Sequence, residues 1–405
     1  MLVFNLSRNI KMLSVGFFFS KWGEFAFEMS FAVSVVSLTE ANLLLIGAVY
    51  FFRYLPSALF SPIGGWLADN FIKRRTLIAI ELAKGGVALV FFIYFYFTTP
   101  ALAVVISVAM MMTALDCLYV PTFRAYVTEI VEKDQYSSVN SGIQVIEDAS
   151  SILGPLVFSV FAFSTGAAVT FLFFAICLGF SAASIATLLP GKAIQPVAFN
   201  GRALIIQAAR SVNELRVNNA PLFAVICCTA LCAMFATSVV RFILPVSVLE
   251  HFGSEAAVGY VYSVLAAGTV LGGMLYTRFN RKTTTRLVRR YWIMYGSLFS
   301  IAAVVLVFDS WVFVVILFLI GFVGAFVDIS IVTNIQNLSE NNQVGRNFSL
   351  YYFTALMGDA VSGLIASFVF LLAGPATFVW LTLMLVVAPL PWNMKGTSDV
   401  PNNSR

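Results

Sequence analysis

Apolar residues occur along this chain in long runs that short polar segments interrupt. A transmembrane helix needs roughly 20 mostly apolar residues, whereas the strands of a membrane barrel show short segments of alternating polarity. The runs therefore predict an all-α membrane protein with twelve transmembrane spans. In chain order, these spans cover residues 10–36, 42–66, 76–98, 101–123, 138–163, 166–189, 221–247, 256–278, 288–308, 311–335, 347–372 and 375–392.

Two short charged segments are alike although they lie half a chain apart. Residues 64–77 read GGWLADNFIKRRTL and residues 272–285 read GGMLYTRFNRKTTT, so that Gly64 aligns with Gly272. Each segment ends one apolar run and leads into the next. The pattern predicts a duplicated six-helix unit, since many transporters are built from such repeats. A chance match between residues that are common at membrane-surface turns is the alternative.

A longer polar stretch separates the two predicted copies. We expect a first half at 1–190, a linker at 191–220, a second half at 221–392 and a disordered tail at 393–405. Within the linker, apolar residues from Ala203 to Arg216 recur at helical spacing. This recurrence predicts an amphipathic helix on the membrane surface.

The placement of charge fixes the predicted orientation. Only 11% of the residues are charged and 60% are hydrophobic, which excludes an ordinary soluble domain with about 25% charged residues. The net charge of +5 could suggest a nucleic-acid partner, but Lys and Arg are absent from the odd-numbered loops. This is the positive-inside pattern, so we expect both termini in the cytoplasm and no binding of nucleic acid.

Several kinds of chemistry lack the residues that they need. The five cysteines lie in predicted spans, and the single histidine, His251, lies in a predicted outer loop. These positions predict neither a metal site nor a disulfide framework. No phosphate-binding G-x-x-x-x-G-K-[ST] run occurs, so we expect no ATP hydrolysis and no enzymatic activity.

The segment from Gly65 to Arg75 resembles the loop-two motif of the major facilitator superfamily, roughly G-x-L-A-D-R-x-G-R-R/K. Asn70 and Ile72 stand where that motif has Arg and Gly. The resemblance implies a monomer of two six-helix pseudo-repeats with a substrate cavity between them, and no cofactor. It also implies a gate that latches the halves, formed by Gly65, Asp69, Arg74, Arg75 and Asp116.

A narrower resemblance is to the drug-exporter branch that includes macrolide and siderophore efflux proteins of the bacterial inner membrane. It rests on S-K-W-G-E at 20–24, on R-Y-L-P at 53–56 and on Gly154-Pro155, which is similar to the G-P motif of superfamily antiporters. This implies export of a small amphipathic or antibiotic-like compound in exchange for protons. Exporters that give self-immunity to peptide antibiotics and lysophospholipid flippases look similar, so lipid flipping and nutrient uptake remain alternatives.

Charged residues inside the spans are the candidates for coupling, because each costs about 2.5–3.5 kcal/mol to insert. Counting ~1.5 Å per residue places Glu24 and Arg53 at similar depth, so they are predicted to pair. Glu24 is then either a proton-coupling carboxylate or half of a structural ion pair. By the same resemblance, further acids line the cavity, namely Asp328, Asp359 and one of the adjacent pair Glu147 and Asp148, of which the other is expected to face a neighbouring helix.

Two other contacts are predicted toward the cytoplasmic surface. Glu81 and Lys84 are three residues apart in the third span and are expected to form a local structural pair. Asp116, placed toward the end of the fourth span, is expected to meet Arg74 or Arg75.

Overall fold

The computed structural model describes residues 8–40, 43–164, 168–188, 212–252, 255–280, 283–306, 310–340 and 343–392. All regular secondary structure in these ranges is helical, which confirms the predicted all-α class for them. The helices are α1 (Arg8–Leu38), α2 (Leu43–Tyr54), α3 (Ser57–Asn70), α4 (Lys73–Phe97), α5 (Leu102–Ile130), α6 (Tyr136–Ser164), α7 (Val169–Ala186), α8 (Ala220–Thr237), α9 (Leu244–Phe252), α10 (Glu255–Phe279), α11 (Thr285–Val305), α12 (Ser310–Leu338), α13 (Val344–Ala373) and α14 (Thr377–Val387).

Eight helical stretches in the described residues are long and apolar enough to cross a membrane. They correspond to predicted spans three to eight, ten and eleven, so the protein is a multi-pass membrane protein. The first span carries several charges, the second is interrupted, the ninth begins with a basic turn, and α14 has 11 residues. The count of twelve spans therefore stays a prediction.

The predicted second span consists of two helices. α2 ends at Tyr54 and α3 begins at Ser57, with Pro56 between them. Proline has no backbone N–H and cannot continue the ladder of helical hydrogen bonds. The Ser57 hydroxyl donates to the Tyr54 carbonyl at 2.7 Å, which satisfies an acceptor at the end of α2.

Backbone contacts divide the chain into two compact units, and two helices are shared between them. The first unit comprises Met1–Gln135, Ile146–Ile206 and Glu340–Phe353, and the second comprises Tyr136–Val145, Gln207–Ser339 and Thr354–Arg405. The first turns of α6 and of α13 are thus grouped apart from the rest of each helix. In the predicted division into halves, each of these two helices belongs to one half only. The boundaries of the predicted halves remain predictions.

The predicted linker and tail lie largely outside the described residues. Of the expected amphipathic helix, only its end falls in a described segment, where residues 212–218 are helical. The tail at 393–405 and residues 189–211 are not described.

Glycines allow the closest helix crossings in each unit. In the first unit, a Cβ atom added at Gly64 would lie 2.0 Å from the Cys117 carbonyl oxygen, so α3 touches the backbone of α5. In the second unit, a Cβ at Gly272 would lie 2.4 Å from the Phe322 carbonyl oxygen, so α10 touches α12. Small residues at such crossings let membrane helices pack closely. The two glycines are also the ones that the predicted repeat aligns.

Aromatic rings hold α1 against its neighbours in the first unit. The Phe27 ring lies 5.7 Å from that of Phe171 and 5.3 Å from that of Phe174, measured between centroids. These side chains are buried with others from α4 and α5. The packing fixes the rotation of α1 and therefore the direction of its charged residues, which lie one and two turns before Phe27.

The α3–α5 crossing gives a direct prediction about stability. We expect Gly64→Ala to lower the free energy of unfolding by about 1–3 kcal/mol, because the added methyl group overlaps backbone that has no room to move. Thermal unfolding of the detergent-purified protein measures the change. The matched control is Gly86→Ala in α4, where a Cβ would meet nothing within 4 Å. Equal midpoints for the two variants would contradict the crossing.

Candidate functional site

Five charged side chains from four helices form a chain of alternating sign in the first unit. Lys21 Nζ lies 2.7 Å from Glu24 Oε1 and 3.7 Å from Glu147 Oε1. Lys84 Nζ lies 3.3 Å from Glu24 Oε2 and 2.6 Å from Asp116 Oδ1. Each lysine therefore lies between two carboxylates, and Glu24 at the centre contacts both lysines.

Local sequence explains how these side chains meet. Lys21 and Glu24 are three residues apart on α1 and share one face of that helix. On α6, a Cβ at Gly154 would lie 2.5 Å from the Phe25 Cβ and 2.7 Å from the Ala26 nitrogen. The absence of a side chain at Gly154 lets α6 lie against α1, and this brings Glu147 within reach of Lys21.

The chain of charges is most deeply buried at Lys84. The side chains at its two ends, Glu147 and Asp116, are 28% and 18% exposed, whereas that of Lys84 is 1% exposed. Taking such a charge out of water costs several kcal/mol, which only close opposite charges can offset. With three carboxylates and two ammonium groups, the chain carries one carboxylate in excess.

A second buried ion pair is separate from this chain. The Arg53 guanidinium of α2 donates two hydrogen bonds to the Glu28 carboxylate, one of them 2.7 Å long. Its carbon also lies 4.9 Å from the centroid of the Phe31 ring. A bidentate pair that is also stacked on an aromatic ring holds α1 and α2 in one arrangement.

Asp69 of the gate motif binds the beginning of α13. Its two carboxylate oxygens accept hydrogen bonds from the backbone N–H groups of Gly345 at 2.9 Å and Arg346 at 3.0 Å. The first N–H groups of a helix make no hydrogen bond within the helix, and the helix dipole at that end also favours an anion. Asp69 follows the predicted second span, and burial raises the pKa of its carboxyl to about 7 although the two N–H groups lower it.

Neighbouring gate residues tie the same turn to other helices. Ser349 donates to the Ser61 carbonyl, and a Cβ at Gly65 would lie 3.0 Å from Arg346 Cα, so α3 and the start of α13 are in close contact. Arg74 donates to the Ala186 carbonyl at the end of α7. Arg75 is exposed.

In the second unit, an arginine in an irregular helical turn lies near an aspartate of another helix. Between α8 and α9 the chain forms a π-helical turn, Ser238–Ile243, which contains Arg241. Arg241 lies 3.8 Å from a carboxylate oxygen of Asp359, whose other oxygen accepts a hydrogen bond from Thr237 at 2.8 Å. Asp328 of α12 is exposed. These two acids are grouped with a different unit from the five-charge chain.

The sequence identifies the family to which this architecture belongs. A family model described as transmembrane secretion effector, of the major facilitator type, matches residues 7–388. The chain belongs to this family. The search of curated proteins found no match to this chain.

Solved structures show the same fold. The chain is similar to the human organic anion transporter MFSD10 (TETRAN), with a TM-score of 0.78 and 14% identity over 95% of this chain and 98% of that one. It is also similar to a bacterial homologue of the iron transporter ferroportin in its outward-facing state, with a TM-score of 0.75 and 16% identity over 96% and 98% of the two chains. The protein is accordingly a membrane transporter of the major facilitator fold and not an enzyme.

The predicted pair of Glu24 and Arg53 is wrong. Arg53 binds Glu28, one helical turn further along α1, and Glu24 binds Lys21 and Lys84. Both acids share the same face of α1, ~6 Å apart, and a depth estimate from residue counts cannot separate them.

Two predicted contacts near the cytoplasmic surface are also wrong. Asp116 meets Lys84 and not the gate arginines, because α5 continues to Ile130 and Asp116 lies at its middle. Lys84 binds Asp116 and Glu24 instead of Glu81, whose carboxylate accepts from Ser181. Lys84 is therefore a site residue that sequence analysis missed. The available signal was a lysine within an apolar run, because an ammonium group at that depth needs acids from other helices around it.

The other predicted site residues of the first unit lie on α6, and their roles remain predictions. Glu147 contributes to the chain of charges, and its neighbour Asp148 is partly buried on α6. Pro155 follows Gly154 inside α6.

Lys84 should be required for the stability of the first unit. We expect Lys84→Met to lower the free energy of unfolding by about 3–5 kcal/mol, because Asp116 is left buried without its cation. The double variant Lys84→Met, Asp116→Asn should lose less than the sum of the two single variants. Thermal unfolding of all four proteins measures the coupling. Strict additivity would show that the two side chains do not interact.

The Asp69 contact should be visible in hydrogen exchange. We expect Asp69→Asn to speed exchange of the Gly345 and Arg346 amides by at least several-fold, because the amide side chain has one acceptor oxygen and no charge. Exchange measured by mass spectrometry on the 343–349 segment tests this. Arg75→Gln, an exposed neighbour, is the control. Unchanged exchange in Asp69→Asn would remove Asp69 from the gate.

Proposed function

We propose that this transporter exports a small amphipathic or antibiotic-like compound across a bacterial inner membrane in exchange for protons. It would act as a monomer with both termini in the cytoplasm. One observation carries the proposal: Glu24 lies between two buried lysines in a chain that has one carboxylate too many. A proton is the smallest ligand that can correct that imbalance.

Protonation of Glu24 would change both the charge and the connections of the chain. The remaining contacts are Lys21 with Glu147 and Lys84 with Asp116, which are two neutral pairs. The link from α1 to α4 through Glu24 and Lys84 would be released. Proton binding at one carboxylate would thus alter which helices are held together, which is what coupling to a conformational change requires.

The gate would distinguish the two conformations whose relative stability proton binding changes. Asp69 and Gly65 hold the first turns of α13 against α3 in this structure. In the superfamily that the loop-two motif resembles, contacts of this kind latch the outward-open state. Breaking and remaking them would give alternating access, as expected for a transporter built from repeats.

The acids of both units favour a cationic or zwitterionic substrate. Glu147 is partly exposed, and Asp328 is exposed on α12. Asp148 and Asp359 are further candidates for the cavity lining. The similar solved structures are those of an organic anion transporter and of a homologue of an iron transporter, so the fold itself does not select a substrate class.

The first test is a toxicity panel in an efflux-deficient bacterium. The panel includes macrolides, siderophore precursors, peptide-nucleotide antibiotics and lipophilic cations, and compares the wild type with Glu24→Gln at matched membrane levels. We expect protection against at least one compound, with loss of at least tenfold of that protection in Glu24→Gln. Glu250→Gln, which changes an exposed residue after the π-helical turn, is the control.

Proteoliposomes then separate coupling from transport. An imposed pH gradient should drive accumulation of the protective compound by the wild type, while Glu24→Gln should only equilibrate it. Accumulation that survives in Glu24→Gln would leave an exporter in which Glu24 is structural. Protection against no compound would contradict export and direct attention to lipid flipping or uptake.

A further inference from the structure

Glu81 is a buried acid that the five-charge chain does not include. Its side chain on α4 is 0% exposed and lies one turn before Lys84. Oε1 accepts a hydrogen bond from Ser181 of α7 at 2.8 Å, whereas Oε2 is buried and has no hydrogen-bond partner. Among the described residues, no lysine or arginine forms an ion pair with Glu81.

The groups that surround Glu81 are mostly neutral. α1 contributes Ser20 and the more distant Glu24, and α5 contributes Tyr119. The buried hydroxyls of Ser20 and Tyr119 lie within hydrogen-bonding reach of the Glu81 carboxyl and of each other, although neither makes a hydrogen bond of regular geometry. Among the described residues, the cation near Glu81 is Lys84 on its own helix, and the Lys84 ammonium is held by Asp116 and Glu24.

An ionised carboxylate at this position would have too few hydrogen-bond donors around it. A carboxylate has about four acceptor positions, and the donors beside Glu81 are neutral hydroxyls, of which that of Ser181 is in regular hydrogen-bond geometry. A buried charge without a counter-ion costs so much that the group takes up a proton instead. Glu24 is different, since two ammonium groups lie within 3.3 Å of it.

We propose that Glu81 is a neutral carboxylic acid in this structure and is a second proton-carrying residue of the site, exchanging its proton with Glu24. The inference deepens the proposed function and rests on it for the role of the proton. The protonation of Glu81 itself rests on burial and hydrogen bonding alone.

The exchange conserves both protons and charge. Lys84 turns from Glu24 toward Glu81 while it keeps Asp116, and it remains an ammonium group throughout. The O–H bond of Glu81 breaks, the proton passes along the hydroxyls of Tyr119 and Ser20, and an O–H bond forms on Glu24. Glu81, now ionised, takes the place of Glu24 as the second partner of Lys84. Lys84 would thus pair with either Glu24 or Glu81, and the acid that is not paired with Lys84 would hold the proton.

Infrared spectroscopy of the purified protein in nanodiscs tests the protonation without a substrate. At about pH 9, well above the pKa of Asp69, the wild type should show the carbonyl stretch of a protonated carboxyl, shifted in heavy water, and Glu81→Gln should lose it. Ser181→Ala should move the frequency of that band, since Ser181 donates to this carboxyl. Glu250→Gln, which changes an exposed acid outside the five-charge chain, is the control and should keep the band. A band that persists in Glu81→Gln would overturn the proposal.

Stability gives an independent readout. Glu81→Gln replaces one neutral group by another and should leave the midpoint of thermal unfolding unchanged, unlike Lys84→Met. A large destabilisation would show that Glu81 is ionised and held by Lys84. If Glu81→Gln does not fold, the band shift in Ser181→Ala still decides the protonation. Transport that does not depend on the pH gradient would refute the proposed antiport. The infrared band tests the protonation of Glu81 independently of that result.

Discussion

The Lys84 ammonium is the interaction on which the first unit depends. A lysine that is 1% exposed in a membrane protein cannot be solvated, so it must be surrounded by acids. Asp116 of α5 and Glu24 of α1 supply them, and Glu24 in turn binds Lys21, which reaches Glu147 of α6. A single unsolvated charge therefore accounts for a polar connection across four helices.

Such a connection requires helices that lie unusually close together. Gly154 brings α6 onto the backbone of α1, and Gly64 brings α3 onto α5. The Phe27 cluster then fixes how α1 is rotated. In the membrane, where apolar side chains gain little by leaving lipid, small residues and polar contacts do most of this work. The charged site and the packing that supports it are consequently one structure.

The comparison of prediction with structure separates two kinds of inference. Apolar runs predicted the helical class, and the loop-two motif indicated the superfamily, because both depend on residues close together in sequence. The pairs Glu24–Arg53 and Glu81–Lys84 were wrong because a pair depends on helix rotation and depth. α5 shows the size of the error, since extending its end from residue 123 to Ile130 moves Asp116 to the middle of the helix.

The sequence by itself determined that the chain lies in a membrane, that it is helical and that it carries costly charges within its spans. Hydropathy and charge act locally, so a linear pattern is sufficient to reveal them. Only the tertiary structure decided that Lys84, and not Arg53, is the partner of Glu24, and that Glu81 is left without a cation. Which charges meet depends on how α1, α4 and α5 rotate against one another, and this rotation is set by packing contacts between residues far apart in the chain.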